Sequence, residues 1–224
     1  MKMRVLIACE FSGTVRDAFR RKGHEAWSCD LLPTEGSPEY NQYHYQGDAV
    51  EIAYGLQWDL MIAHPPCTYL SLAGANRMYV DMKKEKGVDQ DRLSKLRNGE
   101  DFFNKLLNCK IKKIAVENPL PNYKFATNIR RHDQIIHPYY FGDSVQKRTC
   151  LWLKNLPHLK VTNLVDKGEL YIKKNGKSNG SKWFMYMPHK DRAKNRSKTF
   201  QGIAEAMADQ WTQETINPTI GVLE

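Results

Sequence analysis

Four short apolar runs, at residues 4–9, 24–29, 59–63 and 113–116, alternate with segments of helical period, and this alternation constrains the chain more than any other feature. Each run is long enough for a buried strand and too short for a buried helix. Between the first two, residues 14–22 place Val15, Ala18 and Phe19 on one face and stop at Gly23, as an amphipathic helix does. Residues 49–54 form a shorter helical segment, and residues 92–109 a longer one in which Leu93, Leu96, Phe102, Phe103, Leu106 and Leu107 share a side. A further strand is predicted at 150–153, a last helix at 203–211, and a turn-rich aromatic loop at 33–45. Strands alternating with helices give an α/β class with a doubly wound, largely parallel sheet. A chain of 224 residues suits one such domain with a small appendage.

Several classes are excluded at once. No apolar run approaches the ~20 residues of a membrane span. The cysteines (Cys9, Cys29, Cys67, Cys109 and Cys150) are odd in number, widely spaced and in no CxxC pair, which argues against a disulfide framework and a zinc knuckle alike. The start of the chain leads straight into a strand with no secretory signal. The expectation is a cytoplasmic protein, monomeric, with no metal and no membrane partner.

The charge is unevenly placed. Lys and Arg total 34 against 25 Asp and Glu, and residues 154–200 hold 12 of the bases and 3 of the acids, so this one segment carries the whole excess of +9. Trp183, Phe184 and Tyr186 interleave with it, and the Gly/Asn/Ser run at 175–181 suggests a small β element. Such a block is either a solvated charged face or a nucleic-acid contact surface with Lys173, Lys174, Lys177 and Lys182 as contacts.

In a doubly wound sheet, ligands bind at the carboxyl ends of the strands. Glu10, Asp30, Asp48, Cys67 and Glu117 all fall there. Pro65 and Pro66 stiffen the turn that presents Cys67. Glu117-Asn118 closes a later strand and brings a carboxylate beside Cys67 if the two strands are neighbours. A thiolate with a carboxyl able to deliver a proton suits addition to an electron-poor ring. Cys67 paired with His64 or His132 would be a hydrolase, but nothing in the sequence supplies an oxyanion hole. Phe11-Ser12-Gly13, Asp30 and Gly47-Asp48 suit a nucleoside cofactor, and the absence of GxGxxG disfavours a dinucleotide. Gln146-Lys147-Arg148 offers donors for a base or a phosphate.

In this order the pieces resemble the C5-cytosine DNA methyltransferase family. The stretch Pro65-Pro66-Cys67-Thr68-Tyr69-Leu70-Ser71-Leu72-Ala73-Gly74 is similar to its nucleophile motif PPCQxFSxAG, Glu117-Asn118-Pro119 to its ENV motif, and Gln146-Lys147-Arg148 to its QRRxR motif, with Cys150 at the second arginine. The resemblance implies a Rossmann-like methyltransferase sheet formed by residues 1–153 and 196–224, with 154–195 as a reduced, basic target-recognition segment. It implies S-adenosylmethionine as cofactor, held by Phe11, Ser12, Gly13, Asp30, Leu31, Asp48 and Pro66. It implies cytosine-containing DNA as substrate, touched also by Ser71 and Lys147, with Cys67, Glu117 and Arg148 as catalytic residues. The same chemistry on RNA or a free cytosine nucleotide, and a silent nucleic-acid-binding module, remain open alternatives. Amino-methyltransferases flank their Pro-Pro turn with Asp or Asn and an aromatic residue, where this chain has His64 and Cys67.

Overall fold

The computed structural model describes residues 1–81, 83–172, 176, 178–186, 190 and 192–213. Strand β1 (Arg4–Ala8) lies mid-sheet, with Val5 to Ala8 fully buried. Side chains alternate along it, so Val5 and Ile7 enter one core while Leu6 and Ala8 enter another on the opposite face. Burial on both faces explains why its sequence is continuously apolar rather than alternating.

The remaining strands are β2 (Glu25–Asp30), β3 (His44–Gln46), β4 (Leu60–Ala63), β5 (Lys113–Pro119), β6 (Gln134–Ile136) and β7 (Thr149–Lys154). They form one sheet in the order β3-β2-β1-β4-β5-β7-β6. The pairs on the β3 side of β5 are parallel, and β7 runs antiparallel to both β5 and β6. The expected doubly wound, Rossmann-like α/β sheet is therefore present. Helix α1 (Thr14–Arg21) and the last helix (Gln201–Gln210) cover one face through Phe19, Ile203 and Met207. Helices α2 (Ala49–Gly55) and α3 (Gln90–Leu107) cover the other through Ala53, Leu96 and Phe103. Trp152 of β7 stands edge-on to Phe103 at 4.9 Å, and its indole N–H donates to the Arg130 carbonyl at 2.8 Å.

Several expectations are corrected. The loop at 33–45 contains a 3-10 turn at Pro38–Tyr43 and then β3, which joins the sheet as an edge beside β2, with His44 meeting the Ser28 hydroxyl at 2.8 Å and Tyr45 stacked on Trp27 at 4.8 Å. Strand β6 has only three residues, too few for its period to register in the sequence. Helix α3 starts at Gln90, because the Asp89 carboxylate accepts from the Arg92 N–H at 3.0 Å and caps it. Most consequential for the site, β5 runs on to Pro119, with Glu117, Asn118 and Pro119 facing Leu151, Cys150 and Thr149 of β7. Glu117 and Asn118 thus sit inside a strand and not in a loop beyond it.

The basic segment is in two parts. Residues 156–165 lie on the core: Leu159 is buried there, Trp211 Nε1 donates to the Pro157 carbonyl at 3.0 Å, and the Lys160 N–H donates to Gln210 Oε1 at 2.7 Å. After them come a separate two-stranded sheet, β8 (Leu170–Ile172) with β9 (Ser178–Ser181), and the short helices α4 (Lys182–Met185) and α5 (Arg192–Ser197); the last helix, Gln201–Gln210, is α6. Lys173, Lys174 and Lys177 lie outside the described residues. Among the described residues no helix is long and apolar enough to cross a membrane, and no group of three or more His, Cys, Asp or Glu side chains is placed to hold a metal.

Candidate active site

The carboxyl ends of β1, β2, β4 and β5 converge along one edge of the sheet, with the start of α2 beside them. β1 stops abruptly because Cys9 takes a left-handed conformation, φ 59°. The turn sends Glu10 back under the N-terminus of α1, where its carboxylate accepts from the N–H groups of Val15 at 2.7 Å and Arg16 at 3.2 Å. Helix α1 has no side-chain cap at Gly13, so Glu10 satisfies two otherwise orphaned donors at the positive end of the dipole. Burial nevertheless pushes its carboxyl up, against the opposing pull of His64 and those N–H groups.

Gly13 has φ 70°, and a Cβ there would lie 2.6 Å from Arg16 Nη2 and 2.7 Å from the Gly36 Cα. The glycine therefore makes room for the chain itself. Arg16 is fully buried, with Nε donating to Asp17 at 2.7 Å and Nη1 to Ser28 and Thr34. Phe11 lies nearby, almost buried, and Lys194 and Lys198 reach over its ring at 5.5 and 5.9 Å. Lys194 also pairs with Glu35, as does Lys198 at 2.9 Å. The end of the basic segment is thus fastened to the rim of the core.

Asp30 ends β2 and Asp48 starts α2. One oxygen of each is used locally, accepting from the Leu32 N–H at 2.9 Å and the Val50 N–H at 2.7 Å. Both carboxylates act on Cys9 and Cys29, whose thiols are raised first by burial and then by these charges, Cys29 to about 11. Leu31 between them is 75% exposed, a large apolar side chain presented to solvent beside two acids.

Further along the edge, β4 gives way to His64-Pro65-Pro66-Cys67. The His64 N–H donates to the Ala8 carbonyl at 2.9 Å, the last rung before the prolines end the ladder. Pro65 is buried, and its carbonyl accepts from Asn118 Nδ2 at 2.8 Å, which ties this turn to β5. The Cys67 carbonyl takes the N–H groups of Leu70 and Ser71 at 3.1 and 3.0 Å, closing the turn, while Pro66 is exposed. Ser71 then bridges to Pro121, so the chain after the cysteine also follows the continuation of β5.

Glu117 meets this turn from β5. His64 Nδ1 donates to Glu117 Oε2 at 2.9 Å, with both side chains less than one-tenth exposed. Burial alone would raise the Glu117 carboxyl, but the His64 hydrogen bond and the charge of Lys147 outweigh it and hold the carboxyl below the usual carboxylate range. Burial raises the Cys67 thiol first and Glu117 raises it further, while Lys147 and Arg196 pull it down. Lys147 donates to the Arg196 carbonyl at 3.0 Å and lines a small cavity with Glu117, Thr149, Thr199, Phe200 and Ile203. A cleft of about 280 Å³ adjoins it, lined by Trp183, Asn195, Lys198, Thr199 and Phe200.

Of the catalytic residues expected from sequence, Cys67 and Glu117 are brought together. Arg148 is exposed, and its charge acts on His132, His137 and Cys150 instead. Its neighbour Lys147, expected at nucleic acid, is the cation facing both Cys67 and Glu117. Cys150, buried opposite Asn118, is pushed up to about 12, chiefly by burial. The sequence motifs do not show His64 as a partner of Glu117, although it stands directly before a Pro-Pro turn at a strand end. Lys182 lies on the surface, paired with Glu169.

No protein-family model and no curated protein sequence matches the chain. Among solved structures it is similar to a candidate DNA modification methyltransferase encoded within a prophage of E. coli, at 14% identity and a TM-score of 0.40. The likeness covers 66% of this chain and 45% of that one, so the chain spans less than half of that protein's length. The chemistry of the site rests on its own side chains.

Proposed function

We propose that the protein transfers a methyl group from S-adenosylmethionine to C5 of cytosine in DNA through a covalent adduct on Cys67. The observation that carries this reading is the joining of two motifs in space: Asn118 holds the Pro65 carbonyl at 2.8 Å, and the adjacent Glu117 acts on the Cys67 thiol. A nucleophile and a proton-bearing carboxyl held by one hydrogen-bonded corner suit addition to a pyrimidine ring better than acyl transfer, which would need an oxyanion hole.

The residues present fit the cofactor. Asp30 and Asp48 each keep one oxygen with no hydrogen bond among the described residues, as ribose hydroxyls and an exocyclic amine require. The exposed Leu31 offers an apolar face for the adenine, and Lys194 and Lys198 by Phe11 offer positive charge to a carboxylate. When bound, S-adenosylmethionine supplies an electrophilic methyl group. Gly13 favours the fit by letting Arg16 pack beneath the loop rather than by opening space above it.

In the reaction, the Cys67 thiolate forms a bond to C6 of the base, and Glu117 stabilises the proton acquired by N3. Lys147 supports the thiolate by opposing the burial that raises it. After transfer, the C5 proton is released to solvent, its bonding pair forms the C5–C6 double bond, and the C6–S bond breaks to return Cys67 as thiolate and restore the ring. A base reaching Glu117 must be turned out of a duplex. The 280 Å³ cleft bounded by Trp183 and Phe200, whose rings lie 4.9 Å apart, offers an aromatic wall beside it.

Labelled methyl transfer to DNA by wild type and Cys67→Ala tests the reading, with bisulfite sequencing to locate the product. Transfer abolished by Cys67→Ala and mapping to cytosine C5 is the expected result. Full transfer by Cys67→Ala, or no transfer by wild type, overturns it.

A further inference from the structure

The structure assigns a role to His64, which the sequence motifs leave out. We infer that His64 is the positioning residue of Glu117, fixing its carboxylate and carrying the proton that Glu117 passes to the base; this rests on the function proposed above. His64 Nδ1 and Glu117 Oε2 are 2.9 Å apart and shielded from solvent. The backbone of His64 is pinned by the Ala8 carbonyl and that of Glu117 by Leu151, so neither group depends on a mobile loop.

The chemistry needs such a partner. Lys147 and His64 hold Glu117 as the anion, yet an anion has no proton to give N3. With His64 protonated, moving the proton from Nδ1 to Oε2 makes Glu117 the neutral acid and leaves a neutral ring. Glu117 then gives up a proton as the N3–H bond forms, in step with sulfur bonding to C6. When Cys67 leaves, N3 returns the proton to Glu117 and thence to His64, so the pair ends as it began. No oxidant or further reactant is required. The groups facing the pair are Glu10 from the turn after β1, Lys147 from the segment before β7 and Cys67 on the histidine's own turn.

His64 Nε2 is buried with no hydrogen-bond partner among the described residues. Nδ1 is therefore the nitrogen that works on Glu117, while the charge of the ring also acts on Glu10. A purely structural role would be met by any donor at the Nδ1 position.

His64→Asn separates these roles, because its amide can donate to Glu117 as Nδ1 does but holds no transferable proton. The expected result is unchanged folding and DNA binding, a single-turnover methyl-transfer rate about 100-fold lower, and an altered pH profile. A wild-type rate and profile in His64→Asn would show that hydrogen bonding alone suffices and would overturn the proposal. NMR of the His64 ring nitrogens in wild type and Glu117→Gln gives a reading independent of activity and of the folding of His64→Asn. The Nδ1–H resonance, shielded and hydrogen-bonded to the carboxylate in the wild type, should move or disappear in Glu117→Gln, and an unchanged resonance also overturns the proposal. Covalent trapping of the wild type on 5-fluorocytosine DNA tests the underlying function separately: without an adduct that function fails, while the ring resonance still decides whether the pair is joined.

Discussion

The edge of the sheet and the basic segment treat charge in opposite ways. At the edge, Glu10, His64, Glu117 and Asn118 are buried, and strand ladders and backbone hydrogen bonds place them. In the segment, Lys182, Lys194 and Lys198 stand partly exposed and are held by single carboxylates, Glu169 and Glu35. Breaking a buried charged pair by removing one partner costs about 3–5 kcal/mol, whereas an exposed pair contributes roughly 0–1 kcal/mol. The fold therefore fixes the geometry of the chemistry and leaves the placement of positive charge adjustable. The two regimes touch at Lys147, where the Arg196 carbonyl receives its ammonium.

The strongest test of the contrast is a pair of truncations read by denaturant unfolding. Trp152 is fully buried, packs on Phe103 and donates to Arg130, so Trp152→Ala should lose about 3–5 kcal/mol of stability. Lys182→Gln should leave the unfolding midpoint almost where it is. Comparable losses from both would mean that the segment is as much a part of the cooperative core as β7.

Lys147→Met probes the point of contact. Lys147 lowers the Cys67 thiol against the raising effects of burial and Glu117, so its removal must move that pKa upward. Alkylation of Cys67 by iodoacetamide follows the thiolate, and at neutral pH the variant should react roughly two- to tenfold more slowly, with its rate rising toward wild type only in more alkaline solution. Unchanged alkylation rates across the pH range would remove Lys147 from the electrostatics of the site.

How legible these regions were from sequence follows the same division. The central strands and the order of the motifs could be read because a strand buried on both faces leaves an unbroken apolar run, as Val5 to Ala8 does. The extension of β5 through Glu117 and Asn118 could not, since polar residues there are explained only by pairing with β7, about thirty residues later. A separation of 53 residues likewise hid the pairing of His64 with Glu117. Lys147 rather than its neighbour Arg148 faces the site, a choice between adjacent side chains on an irregular stretch that no periodicity decides. The block of charge was countable, but its division between solvent and core was not, because Lys194 reaches Glu35 across 159 positions of sequence.

That division yields the finest prediction. Counted along the sequence, Lys182, Lys194 and Lys198 are equivalent members of one basic block. In space, Lys194 and Lys198 face Phe11 and Glu35 at the rim of the proposed cofactor site, while Lys182 pairs with Glu169. Under the proposed function, Lys194→Gln with Lys198→Gln should weaken S-adenosylmethionine binding by roughly two- to fivefold in calorimetry, the size expected of partly exposed charges. Lys182→Gln should leave that affinity alone and instead lower the salt dependence of DNA binding, by about one unit of slope if the lysine meets a phosphate. Equal effects of the two variants on both ligands would erase the boundary between a reader facing nucleic acid and a clasp facing cofactor. A cofactor effect confined to the double variant places the boundary between Lys182 and Lys194, within the short span that separates the hairpin from the helix leading back to the core.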